Sequence, residues 1–237
     1  MATFVLVHGA WGGAHGFRHV RRLLRAAGHD VTTPCLTGIG ERVHLASPLV
    51  DLGTHIRDVV NHVLYEDLDR IVLVGFSYGG FVVTGALEHI AERVEHLVFL
   101  DAFVPKNGDL ALSLRGAGRS KIELGEAWQV TGPARDYDDP AEAAWMTARR
   151  TPHPKGCFTE AVHLAQPLEA FPFTRTYIKA TRSRETDPGE PAFREAARRA
   201  QASDAWNYFE IETNHMVMSN RAEETARLLA LVAGGST

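Results

Sequence analysis

The sequence predicts an α/β fold, a doubly wound and mostly parallel sheet with a small, mainly helical cap. Two observations predict it. Short unbroken apolar runs alternate with segments whose apolar residues recur at helical spacing, the pattern of strands buried on both faces by crossover helices. That alternation is interrupted from Val104 to about Pro172 by a stretch rich in Gly, Pro and scattered aromatics, and then resumes. The chain therefore reads as one domain over 1–237 with a cap inserted at about 104–172. At 237 residues, 45% hydrophobic and 23% charged, it is long enough for a substantial core.

Phe4-Val5-Leu6-Val7, ended by His8-Gly9, is the first strand. Phe17, Val20, Leu23 and Leu24 mark the helix after it, and Gly28 stands where a left-handed cap is wanted. Asp30 to Thr33 is the next strand. A polar loop from Pro34 to about Pro48 leads to Asp51, which caps a helix carrying Ile56, Val59, Val60 and Val63. Ile71 to Val74 is the central strand. A helix to about Ala91 and the strand Leu97 to Leu100, ending at Asp101, complete the first half. After the insertion come a strand at Thr176 to Lys179, a helix near Phe193 to Ala202, a strand near Trp206 to Ile211, and an amphipathic helix from Ala222 to Val232.

The central strand runs directly into Gly75-Phe76-Ser77-Tyr78-Gly79, and a helical pattern follows. A serine at such a strand-to-helix turn is a nucleophile candidate. The glycines let strand and helix approach closely and let the serine hold a strained backbone with its hydroxyl presented. Serine is weakly nucleophilic near neutral pH and needs a base, itself oriented by a carboxylate. Of the 12 histidines, His215 is the base candidate, because the loop Glu212 to His215 lies between the last strand and the last helix. For the acid, Asp187, in the loop after the strand ending at Lys179, fits the chain order serine, acid, histidine. Asp101, at the end of the strand after the nucleophile helix, is the alternative, and Glu185 a third. Acyl transfer also needs donors for a developing oxyanion. The amide of Tyr78, at a helix N-terminus, is one candidate and that of Ala10, in the loop His8 to Gly13, the other.

These residues resemble the α/β-hydrolase superfamily, and within it the branch holding plant methylesterases, hydroxynitrile lyases and EstC-like esterases. The carrying segments are Phe4 to Ala10, Leu36 to Arg42, Gly75 to Gly80, Leu100 to Pro105, and Asn214 to Met218. The resemblance implies Ser77 and His215 as catalytic, Ala10 and Tyr78 as the oxyanion hole, and Asp187 as the acid. The loop Arg182 to Thr186 is longer than the family's, which leaves Asp101 open. The lyases of the branch resemble one another in a threonine after the first histidine and a lysine after the catalytic one. Gly9 and Met216 stand there instead, so the resemblance implies hydrolysis, with a lyase-type enzyme or a non-catalytic ligand receptor as alternatives. A narrower resemblance is to carbendazim-hydrolysing esterases, which implies a methyl carbamate among the possible substrates.

The cap's aromatic residues suit a small apolar or aromatic ester, and Trp11, Trp128 and Trp145 are the candidate pocket walls. No cofactor is called for. His15 and His19, four apart on a helix, lack an evident third metal ligand. The net charge of -4 offers no basic footprint for nucleic acid, and no apolar run approaches the roughly 18 residues that span a bilayer. With two cysteines, Cys35 and Cys157, and no leader-like start, the expectation is a cytoplasmic protein with free thiols, a small-molecule substrate and an oligomeric state the chain does not reveal.

Overall fold

The computed structural model describes residues 1–114 and 127–234. Six strands form one parallel sheet: β1 (Thr3–Val7), β2 (Asp30–Thr32), β3 (Ile71–Phe76), β4 (Val94–Leu100), β7 (Thr174–Ala180) and β8 (Asn207–Ile211), in the order β2-β1-β3-β4-β7-β8. The chain starts near the middle, winds to one edge, returns through β3 and continues to the other. Right-handed crossovers of this kind put helices on both faces. All six residues of β3 are buried, as the unbroken apolar run requires.

Alternate residues of each strand feed two separate cores. Val5, Val7, Ile71 and Leu73 pack with residues of α2 (Leu52–Tyr65), α3 (Gly79–Ile90) and α7 (Glu190–Gln201). Phe4, Leu6, Val72 and Val74 pack with α1 (Arg18–Ala26), the short α8 (Val217–Asn220) and α9 (Ala222–Val232) on the opposite face. The expected ends are present. Gly28 takes φ +85° after α1, and the Asp51 carboxylate accepts the Thr54 amide at 2.7 Å to cap α2.

Between β4 and β7 the described residues form the short helices α4 (Ala111–Leu114), α5 (Pro140–Thr147) and α6 (Gly156–Thr159). They also form an antiparallel ladder of β5 (Gln129–Val130) with β6 (His153–Pro154), which the sequence reading did not anticipate. Two residues per strand are too few to show an alternating pattern, and the pairing joins segments far apart in the chain. Among the described residues no helix is long and apolar enough to cross a membrane.

Every strand of the large sheet points its carboxyl end the same way, so the loops after β1, β3, β4, β7 and β8 gather along one edge. Removing the cap of the helix that flanks this edge, by Asp51→Ala, is expected to destabilise the protein by about 1 kcal/mol. A urea titration checks it.

Candidate active site

Ser77 leaves β3 and enters α3 with φ +56°, a left-handed conformation that a non-glycine residue adopts only when its surroundings hold it there. The space is made by glycines. A Cβ on Gly79 would lie 2.6 Å from the Val7 carbonyl oxygen, and one on Gly9 would lie 2.9 Å from the Ser77 Cβ. The Ser77 carbonyl accepts the Phe103 amide at 3.2 Å, tying the turn to the loop after β4.

The structure brings His215 onto this serine. Its Nε2 lies 3.0 Å from Ser77 Oγ and its Nδ1 2.6 Å from Asp101 Oδ2. A carboxylate only accepts, so Nδ1 carries the proton and Nε2 is left to accept from the serine hydroxyl. The ring is held between Phe76 and Phe193, with centroids 4.7 and 5.1 Å away. Burial, together with the Arg135 cation, lowers the imidazole to about 4 against the pull of Asp101, so it is neutral near pH 7.

The carboxylate on His215 is Asp101, the alternative acid, and not Asp187. Asp101 is wholly buried at the end of β4 with φ +41°. Its Oδ1 accepts from Lys179 Nζ at 2.7 Å and from the Ala180 amide at 3.1 Å, which leaves Oδ2 for the imidazole. Burial would raise this carboxyl, but the His215 hydrogen bond and the Lys179 ammonium outweigh it and hold the group below its ordinary value. Asp187 instead folds back onto its own loop, accepting the Arg184 amide at 2.9 Å, while its carbonyl accepts the Glu190 amide at the start of α7. The long loop lets the side chain close a local turn, and that turn uses the carboxylate. Glu185 is exposed and faces Arg194.

Several participants were not singled out in the sequence. Lys179 is buried and lies 3.1 Å from Glu190, which also receives Arg194 at 2.8 Å, so Asp101 begins a chain of alternating charge that is buried through Glu190 and reaches the surface at Arg194. A lysine set between Ile178 and Ala180 at the end of a strand was the available signal. Phe193 gave none, since nothing local distinguishes a core phenylalanine from one stacked on the base.

His8 shapes the loop holding Ala10. Its Nε2 accepts the Leu36 amide at 3.1 Å, so Nδ1 carries the proton and donates to the Gly9 carbonyl at 2.9 Å. In a trans peptide the carbonyl and the next amide point oppositely, so this bond turns the Ala10 N–H away from His8. Tyr78 stands at the N-terminus of α3, where amides have no intrahelical acceptor. Its hydroxyl donates to His55 Nδ1 at 3.1 Å, and His55 Nε2 donates to the Thr37 carbonyl at 2.8 Å.

The three tryptophans do not border the small cavity beside Gly9, Ala10, Phe76 and Met216. Trp11 is 3% exposed, stacks on Phe158 and donates its indole N–H to the Val130 carbonyl, so it is a pillar beneath the insertion. Trp145 is clamped between the Arg18 and Arg149 guanidiniums, 3.5 and 3.9 Å from its ring centroid, and lines outer clefts. Trp128 is 38% exposed. Cation stacking occupies Trp145 and the indole bond occupies Trp11.

His15 and His19 face different carboxylates, Glu41 and Glu142. His55, His153 and Cys157 bring potential ligand atoms within 4.8 Å of one another. His55 has both nitrogens committed to Tyr78 and Thr37, and burial raises the Cys157 thiol far from the thiolate a metal needs. The donor set does not suit a metal. Burial also raises Cys35, to about 11.

Residues 4–228 match the model of the Alpha/beta hydrolase family. A carbendazim hydrolyzing esterase of Nocardioides sp. (strain SG-4G) is 53% identical over 114 residues, 48% of this chain and 47% of the relative. Methylesterase 1 of Arabidopsis thaliana is 34% identical over 113 residues, 43% of this chain and 40% of the relative. The matched stretch thus spans less than half the length of these relatives. An extracellular alpha/beta-hydrolase from a Paenibacillus species, described as sharing structural and functional homology with tobacco salicylic acid binding protein 2, superposes with a TM-score of 0.84 over 100% of both chains at 23% identity, a likeness of fold.

His8, His55 and His215 are all buried and all lowered to about 4. Below pH 6.5 the unfolded chain takes up protons that these three refuse, so stability is expected to fall from pH 6.5 towards 4, each histidine contributing up to about 1.4 kcal/mol per pH unit. Denaturant midpoints at pH 7 and pH 5 measure this, and equal midpoints would contradict it.

Proposed function

The chain belongs to the alpha/beta hydrolase family, and on that premise we propose that it is a serine esterase. It cleaves a small apolar or aromatic carboxylic ester, extending to a methyl carbamate such as carbendazim, through an acyl-enzyme on Ser77. The observation that carries the reading is the line Ser77 Oγ, His215 Nε2, His215 Nδ1, Asp101 Oδ2, with contacts of 3.0 and 2.6 Å. The half-length match to a carbendazim hydrolyzing esterase supports the carbamate extension.

In this mechanism Ser77 Oγ bonds to the ester carbonyl carbon while its proton passes to His215 Nε2. Negative charge moves to the carbonyl oxygen, which the Ala10 and Tyr78 amides receive. As the tetrahedral species collapses, the bond to the leaving group breaks and Nε2–H protonates the departing alcohol. Water, deprotonated by the same nitrogen, then attacks the acyl-enzyme and frees Ser77. Asp101 keeps the proton on Nδ1 and stabilises the imidazolium at each step. With a carbamate, nitrogen donation into the carbonyl slows the second half, and a burst of leaving group is expected.

A fluorophosphonate probe is expected to label the protein and to lose that label in Ser77→Ala. Asp101→Asn should lower kcat on an aryl ester by about 10,000-fold by presenting the wrong imidazole tautomer, while Asp187→Asn loses less than about 10-fold. A larger loss in Asp187→Asn than in Asp101→Asn would return the acid role to Asp187. Because the His215 pKa is lowered, the base stays unprotonated on acidification, and the acid limb of kcat/KM is expected near pH 4 rather than 6.5. A pH profile decides it.

A further inference from the structure

Two arginines beside the proposed catalytic line have no counter-ion. Arg135 and Arg150 are half-buried, and among the described residues no carboxylate lies within 4.0 Å of either guanidinium. Arg150 is pinned. Its Nη2 donates to the Pro133 carbonyl at 3.0 Å and passes so close over Gly132 that a Cβ there would lie 2.4 Å away. Arg135 stands within electrostatic reach of His215, Asp101, Asp187, Tyr137 and Arg150.

Tyr137 lies between them in the chain. Its hydroxyl is buried beside the Arg150 guanidinium, and among the described residues no acceptor meets its proton in hydrogen-bonding geometry. Tyr137 and Arg150 border the same cavity as Gly9, Ala10, Phe76 and Met216, the neighbours of the oxyanion loop, the nucleophile and the base.

Desolvated cations and a buried hydroxyl proton without an acceptor are unfavourable. Burial and the Arg150 charge push Arg135 down to about 10, and burial lowers Arg150. Groups of this kind at one small cavity, Tyr137 and Arg150 on its wall and Arg135 within electrostatic reach of both, mark a place where a ligand completes the electrostatics.

We propose that Arg135, Tyr137 and Arg150 form a carboxylate seat beside the reacting ester, so that the preferred substrate carries one anionic group in addition to its ester. This rests on the hydrolase reading and narrows its substrate class to monoanionic esters, such as a dicarboxylic acid esterified at one end. All three side chains donate hydrogen bonds and two carry positive charge, which suits a carboxylate and disfavours a cation. Asp187 and Asp101 temper the positive field, and Asp101 is already engaged by Lys179 and His215.

The test uses binding, so that it does not depend on turnover. Calorimetry on the Ser77→Ala protein compares monomethyl glutarate with dimethyl glutarate. The monoanion is expected to bind at least about 10-fold more tightly, with the preference shrinking between low and high salt. Arg135→Gln and Arg150→Gln should each reduce that preference by about 10-fold and Tyr137→Phe by less. Arg184→Gln, an exposed arginine paired with Asp136, should preserve it. Equal affinity for the two ligands, binding of neither, or a salt-insensitive preference that survives both arginine substitutions overturns the proposal. Absence of ester turnover by the unmutated protein, with the binding preference intact, would instead count against the hydrolase reading alone.

Discussion

A buried aspartate with three donors is the constraint on which the site depends. Asp101 has no exposed surface, and its carboxylate is held by Lys179, the Ala180 amide and His215. Its left-handed backbone is anchored by a 2.7 Å bond from its amide to the Ile178 carbonyl, so strand pairing between β4 and β7 sets its position. Breaking such a network by removing one charge leaves the others buried without partners, which typically costs about 3–5 kcal/mol. Lys179 is itself buried and lies between Asp101 and Glu190. Burial and Asp101 raise the Glu190 carboxyl, while Lys179 and Arg194 oppose that shift. Orientation of the His215 ring and integrity of the β4–β7–α7 region are therefore coupled.

Three neutral imidazoles shape the same edge by different means. His215 is aligned by Asp101 and two stacked phenyl rings. His8 sets the plane of the Gly9–Ala10 peptide, and His55 receives the Tyr78 hydroxyl from behind the nucleophile turn. In each case one nitrogen donates and the other accepts, a division that only the uncharged ring allows. Burial favours that uncharged form, so the packing that builds the edge also sets the protonation it requires.

The insertion between β4 and β7 contributes rigid contacts to this edge. Trp11 reaches into it through its bond to Val130, and the Trp11 carbonyl accepts the Thr151 amide at 3.1 Å. The neighbouring segment carries Arg135 and Tyr137, placing positive charge near Asp101, a carboxylate already fully engaged. That asymmetry gives the site electrostatic direction. One side is closed by a satisfied carboxylate, and the other offers donors.

Local patterns in the chain were enough for the sheet, the flanking helices, the turn at Ser77 and the placing of His215. Apolar runs such as Ile71 to Val74, Gly75 and Gly79 around the serine, and the capping Asp51 act over a few residues, so their consequences can be read there. The acid was different. Asp101 follows the end of β4 and Asp187 lies in the loop after β7 on the same edge; chain order favoured Asp187, whereas the carboxylate on His215 is Asp101. Only the folded arrangement distinguished them, because Asp187 finds an amide three residues away while Asp101 meets Lys179 and His215 across strands far removed in sequence. The tryptophans show the same limit. A large ring announces that it packs against something, but its partner depends on the three-dimensional approach of Arg18, Phe158 or Val130, which no short-range pattern encodes.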